Sequence, residues 1–193
     1  MQPETLSSHA ALFRQAAERA SAALSKWLGR PARIAIRAGR SVPLEEAVSL
    51  LGPLDRPLAA CAMRIEGPVE GVLLLACDDA SGLALADLLL GQAAGTAAEW
   101  GELETSALVE TANIIGCAYL NALAAAADAA GDRSLLPSPP WFARDYAGAI
   151  METAVLPQAS VADHVYLTHT DFTIEGAPIT CSLLLVPAAA TNT

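Results

Sequence analysis

Positive charge is scarce in this sequence. Its 193 residues carry 11 Lys and Arg against 21 Asp and Glu, a net charge of -10. No basic stripe exists to meet phosphates, so nucleic acid is excluded as a partner class, and anionic membrane surfaces are disfavoured for the same reason. Cysteine is sparse as well: Cys61, Cys77, Cys117 and Cys181 lie far apart with no CxxC, which speaks against a thiolate metal site or a disulfide framework. Buried, reduced thiols in a cytoplasmic protein are the expectation. Histidine is limited to His9, His164 and His169, and the last two, five apart in a strand-like run, should face opposite ways and share no metal. Long apolar runs are missing too. "GVLLLAC" is too short to span a bilayer, and Glu110, Asn113 and Asn121 interrupt the run at 106–127, so no membrane insertion is expected. The first residues, "MQPETLSSHAALFRQ", lack a basic segment followed by an apolar one, so no signal peptide is expected.

What remains is apolar: 53% of residues are hydrophobic and only 17% charged, which suits one folded domain with a core and is short for two. A helix is expected from about Ser7 to Leu28, stopped by Gly29 and Pro31. "ARIAIRA" alternates like a strand, and "VPLEEAVSLL" reads as a short helix. "LAACAMRIE" and "EGVLLLAC" read as strands joined at "GPV". "DDASGLALADLLLG" reads as a helix with Asp78, Asp79 and Ser81 as its start signals and Gly91 as its stop. "QAAGTAAEWG" is a small-residue linker into a second long helix. The prolines of "GDRSLLPSPPW" imply an extended loop. Three strand-like runs close the chain: "YAGAIMETAVL", "HVYLTHTDFTIE" and "APITCSLLLVP".

This order suggests an internal duplication, with halves of about 5–95 and 100–190 in a single domain spanning 1–193. An offset of 99 residues sets Ser7 on Ser106, Ala11 on Glu110 and Arg14 on Asn113. The first half therefore lacks the polar pair of the second.

That pair sits in "SALVETANIIGCAYLNAL". At about 100° per residue, Ser106, Glu110, Asn113, Cys117 and Asn121 share a stripe about 80° wide. Leu108, Ala112, Ile115, Tyr119 and Ala122 fall opposite, where a core would lie. Glu110 and Asn113 can thus address one object from one face. A lone Glu-x-x-Asn is ordinarily a solvated face; its surroundings add weight here.

The same segment resembles the signature helix of the CheC/CheX-type chemotaxis phosphatases: Ser or Asp, three residues, Glu, two residues, Asn. Ser106, Glu110 and Asn113 supply it. "AAERASAALSKWLGRPARIAIRAGRSVPLEE" resembles the family's opening helix and first strand. "GVLLLACDDASGLALADLLLG", "ELETSALVE", "LLPSPP" and "ITCSLLLVP" follow in the family's order, so the likeness covers nearly the whole chain. It implies an α+β fold of two long helices on a mostly antiparallel sheet. It also implies a substrate, the aspartyl phosphate of a CheY-like receiver domain, which brings its own Mg2+ and a lysine. This chain then needs no cofactor. What the receiver lacks is orientation of the attacking water, a task that suits an amide able to donate and accept hydrogen bonds without charge. By resemblance Asn113 positions the water and Glu110 pairs with the receiver lysine, while Ser106 either contacts the receiver or caps local backbone. CheD is a further candidate partner of such proteins. The competing reading is a non-catalytic receiver-binding or flagellar-switch-like module. Of the remaining features, Trp27, Trp100 and Trp141 read as core residues, with Trp141 beside "PSPP" also a candidate edge of the docking surface. Cys117 reads as a small side chain that keeps the face open.

Overall fold

The computed structural model describes residues 3–67, 70–127, 135–159, 164–177 and 179–188. The backbone runs through α1 (Pro3–Leu28), β1 (Ala32–Pro43), α2 (Leu44–Ala47), β2 (Pro57–Glu66), β3 (Gly71–Cys77), α3 (Asp79–Leu89) and α4 (Glu102–Ala127). It continues through β4 (Leu136–Pro137), β5 (Trp141–Tyr146), α5 (Ala147–Ala159), β6 (His164–Ile174) and β7 (Thr180–Pro187). All seven strands join one antiparallel sheet in the order β1-β6-β7-β3-β2, with β4 and β5 both along the outer side of β2. The fold is α+β, with two long helices on an antiparallel sheet, as the sequence implied.

Both faces of the sheet are covered. On one face, Ala17, Ala20 and Leu24 of α1, Ala84 and Leu85 of α3, and Leu108, Ala112, Ile115 and Tyr119 of α4 pack on Cys61, Met63, Leu73, Leu75, Leu183 and Leu185. On the other, Ala47 of α2 and Ile150, Met151, Ala154 and Val155 of α5 pack on Ala60, Ala62, Leu74, Leu184 and Val186. Burial on both faces explains why β3 and β7 read as near-continuous apolar runs and not as alternating ones. Met63, Leu73, Leu75, Leu108 and Ile115 are each at most 2% exposed, so each contributes roughly 1.5–3 kcal/mol of burial.

Several expectations are corrected. "YAGAIMETAVL" is not a strand: β5 ends at Tyr146 and α5 begins at Ala147. Its buried residues, Ala147, Ile150, Met151, Ala154 and Val155, recur at helical spacing and seal the second face. The proline-rich loop contains two edge strands, with Ile65 opposite Pro137 and Ala62 opposite Trp141. Proline is tolerated there because an edge strand has a side that needs no donor. β1 continues through Val42 and Pro43, leaving α2 a single turn. Trp27 and Trp141 are 43% and 41% exposed, so neither is a core residue. Trp27 lies in the last turn of α1, and Trp141 lies on an edge strand. Residues 68 and 69, at the expected β2–β3 turn, lie outside the described residues, as do the side chains of Ala11, Arg14, His9, His164 and His169.

Candidate functional site

α4 begins with half of a capping box, since Gly101 has no side chain to return the bond. The Gly101 N–H donates to Glu104 Oε2 at 3.1 Å, the back-bond of a capping box, which fixes the helix start without using Ser106. The segment before it is fixed equally firmly. Buried Asp87 accepts the N–H groups of Gly95 and Thr96 on Oδ2, each at 2.8 Å, and that of Ala97 on Oδ1 at 3.0 Å. One carboxylate thereby satisfies three loop donors. Trp100 Nε1 donates to Asp79 Oδ1 at 2.8 Å, and its ring lies 5.1 Å from that of Phe142. Arg144 of β5 forks onto Asp79, Nε to Oδ1 at 3.0 Å and Nη2 to Oδ2 at 2.7 Å. These hydrogen bonds hold the Asp79 carboxyl below its ordinary range. The expected N-cap of α3 is Asp78, whose Oδ1 accepts the Ser81 N–H at 2.8 Å; Asp79 works as a crosslink instead.

The middle of α4 is seated by Gly116. A Cβ built there would lie 2.5 Å from Met63 Sδ and 3.1 Å from Leu73 Cδ2, so only glycine lets the helix approach the sheet this closely. With that side pinned, the stripe opposite faces out. Leu108, Ala112, Ile115, Tyr119 and Ala122 are buried, as expected. Ser106, Glu110 and Asn121 are exposed, and Asn113 and Cys117 are half-buried.

The polar side chains of this face have few described partners. Among the described residues, Glu110 makes no ion pair and Ser106 no hydrogen bond. Asn113 has one weak contact: Cys117 Sγ donates to its Oδ1 at 3.6 Å, leaving the NH2 group and a carbonyl lone pair unused. The Cys117 thiol is pushed up, first by desolvation and then by the Glu110 carboxylate, so it stays protonated and is no nucleophile. A carboxylate, an amide and a hydroxyl are thus presented on one face of a rigid helix. Beside Ser106 lies a shallow hollow lined by Trp100, Gly101, Glu102, Thr105 and Val109.

The structure brings Ser106, Glu110 and Asn113 together. It does not bring Trp141 to them, because that ring stands with Ala62 and Ala60 on the sheet face covered by α5. Asp87 and Arg144, which hold the approach to α4, escaped sequence reasoning, and in the sequence Asp79 reads only as a helix-start signal. The one available signal was an aspartate inside the apolar run "LALADLLL". Among the described residues there is no cluster of three or more His, Cys, Asp or Glu fit to hold a metal, and no helix is long and apolar enough to cross a membrane. The four cysteines are free, with Cys61 pushed up to about 12 by burial and by Cys77.

No family model matches the chain. It is 25% identical over 152 residues to the CheY-P phosphatase CheC of Bacillus subtilis, covering 78% of this chain and 71% of that protein. Among solved structures, Thermotoga maritima FliY superposes with a TM-score of 0.75 at 20% identity, covering 98% of this chain and 92% of that one. The Borrelia burgdorferi structure of a CheX-CheY complex with BeF3 and Mg2+ matches with a TM-score of 0.55 at 16% identity, over 92% and 96% of the two chains.

Proposed function

Because this chain resembles the CheC/CheX-like chemotaxis family in sequence and in fold, we propose that it accelerates hydrolysis of the aspartyl phosphate on a CheY-like receiver domain. The observation that carries the proposal is the outward face of α4, where Glu110 and Asn113 stand one turn apart and, among the described residues, engage nothing beyond the weak Cys117 contact. The outward face these two side chains share contributes little to packing. It makes sense as a surface built for another protein.

An acyl phosphate already carries a good leaving group. Water attacks phosphorus, the bond from phosphorus to the receiver's carboxylate oxygen breaks, and the water proton leaves on inorganic phosphate. The receiver supplies its own cation and lysine for the phosphoryl charge. Asn113 supplies the geometry, accepting from and donating to the water so that it lies in line. Glu110 pairs with the receiver lysine and fixes the docked register. Ser106 contacts the receiver at the helix start. One correctly placed amide is worth about 10²–10³ in rate, which matches a mechanism in which the partner brings the rest.

We read the element order as two related halves, α1-β1-α2-β2-β3 and α4-β4-β5-α5-β6-β7 with one extra edge strand in the second and α3 between them, so that β3 and β7 meet at the centre of the sheet. Only the second half carries the pair, so one site per chain is expected. CheD remains a candidate partner. The fold is shared with FliY as well as with the CheX of the complex, which leaves a second reading: a non-catalytic receiver-binding or flagellar-switch-like module. Purified protein mixed with a phosphorylated CheY-like receiver separates the two. Accelerated release of phosphate supports the enzyme, and binding at an unchanged rate supports the module.

A further inference from the structure

Leu103 is 65% exposed in the first turn of α4, and it is the only large hydrophobic residue left that open on this helix among the described residues. Helical geometry sets it at about 60° from Ser106, on the Glu110 side of the stripe, and about 10 Å along the axis from Glu110. A single exposed leucine is ordinary on a protein surface; what sets Leu103 apart is its place beside the polar stripe of α4. The cap does not need it, since Gly101 and Glu104 close the helix start between themselves.

On the other flank of Ser106 lies the hollow walled by Trp100 and Val109. Its wall is set in advance, because Trp100 is held by Asp79 and by the Phe142 ring. A projecting apolar side chain and a rigid apolar hollow therefore straddle Ser106. Glu99, Glu102 and Glu110 are exposed around them.

We propose that Leu103 and the Trp100–Val109 hollow form an apolar docking step for the phosphorylated receiver. The complementary surface is an apolar patch bordered by lysine or arginine. This step rests on the phosphatase reading of α4, and it adds that affinity is set at the helix start while water is positioned at Asn113. Since Leu103 reaches no reacting atom, its loss should act on KM and not on kcat.

The test measures phosphate release from a CheY-like receiver phosphorylated with acetyl phosphate, titrated against full-length wild type, Leu103→Ala, Leu103→Met, Leu103→Lys and Asn113→Ala. Leu103→Ala should raise KM about five- to tenfold, as expected for an apolar anchor, with kcat within about twofold. Leu103→Met should stay close to wild type, and Leu103→Lys should be weaker than Leu103→Ala. Because the side chain is mostly exposed, unchanged thermal midpoints are expected for all three. Wild-type KM in both Leu103→Ala and Leu103→Lys, with Asn113→Ala inactive, overturns the docking step and spares the phosphatase reading. No acceleration by wild type overturns both.

Discussion

Asn113→Ala separates chemistry from fold more cleanly than any other single change. In the folded protein the amide has one described partner, the Cys117 thiol at 3.6 Å, a weak donor at a long distance. Losing it forfeits only a fraction of the roughly 0.5–1.5 kcal/mol of an ordinary hydrogen bond. Alanine returns roughly half a kcal/mol through its better helix propensity. Stability should therefore change by no more than about 0.5 kcal/mol, a shift of about 2 °C or less in Tm for a domain of this size. Phosphate release should respond differently. Removing the group that orients the attacking water should lower kcat by about 10²–10³, or about 2.7–4 kcal/mol of transition-state stabilisation. Receiver binding should persist, because the amide acts on water and not on the partner's surface. The assay is steady-state phosphate release across receiver concentrations, with thermal unfolding of the same preparation. A variant with wild-type kcat refutes water positioning by Asn113. One that loses activity together with several degrees of Tm refutes the claim that the side chain is structurally idle.

Glu110→Ala should lower kcat/KM by roughly 30-fold, about 2 kcal/mol for a charge pair desolvated on docking, and should weaken receiver binding itself; unchanged binding would remove the lysine contact. The same substitution removes the carboxylate that helps hold the Cys117 thiol up, so more thiolate should form at pH 8. Cys117 should then react faster with a disulfide reagent, while buried Cys61, held up at about 12, stays unreactive until the protein unfolds. Equal Cys117 rates in both proteins would contradict this coupling. Asp79 titrates below its ordinary 3.8 because Arg144 binds its charged form, so below that value the unfolded chain takes up more protons than the native one. Its contribution is therefore fully present above about pH 4 and is lost on acidification. Asp79→Asn should be less stable at neutral pH, and its loss of stability in acid should be shallower. A wild-type profile in the variant, followed by urea unfolding from pH 7 to pH 3, would show that the Arg144 pair contributes nothing.

Much of the site was legible because a helix writes its faces locally. Leu108, Ala112, Ile115 and Tyr119 recur at three and four residues, so the buried side of α4 follows from spacing alone, and Ser106, Glu110 and Asn113 fall opposite by the same rule. The start of α3 at Asp78 was readable for a similar reason, since a cap is a contact across three residues. α5 was misread although its buried residues keep helical spacing, because a short apolar run suits a buried strand equally well until its neighbours are known. β5 went unseen because an edge strand is defined by its partner: Trp141 opposes Ala62, nearly eighty positions earlier in the chain. The Asp79–Arg144 crosslink spans 65 residues and leaves no local trace. The sequence by itself determined which side chains share a face of α4. Only the tertiary structure decided that this face is left open, with Gly116 seating the opposite side on Met63 and Leu73 and no described residue covering Glu110. Periodicity is a property of one segment, whereas exposure depends on every element that packs around it.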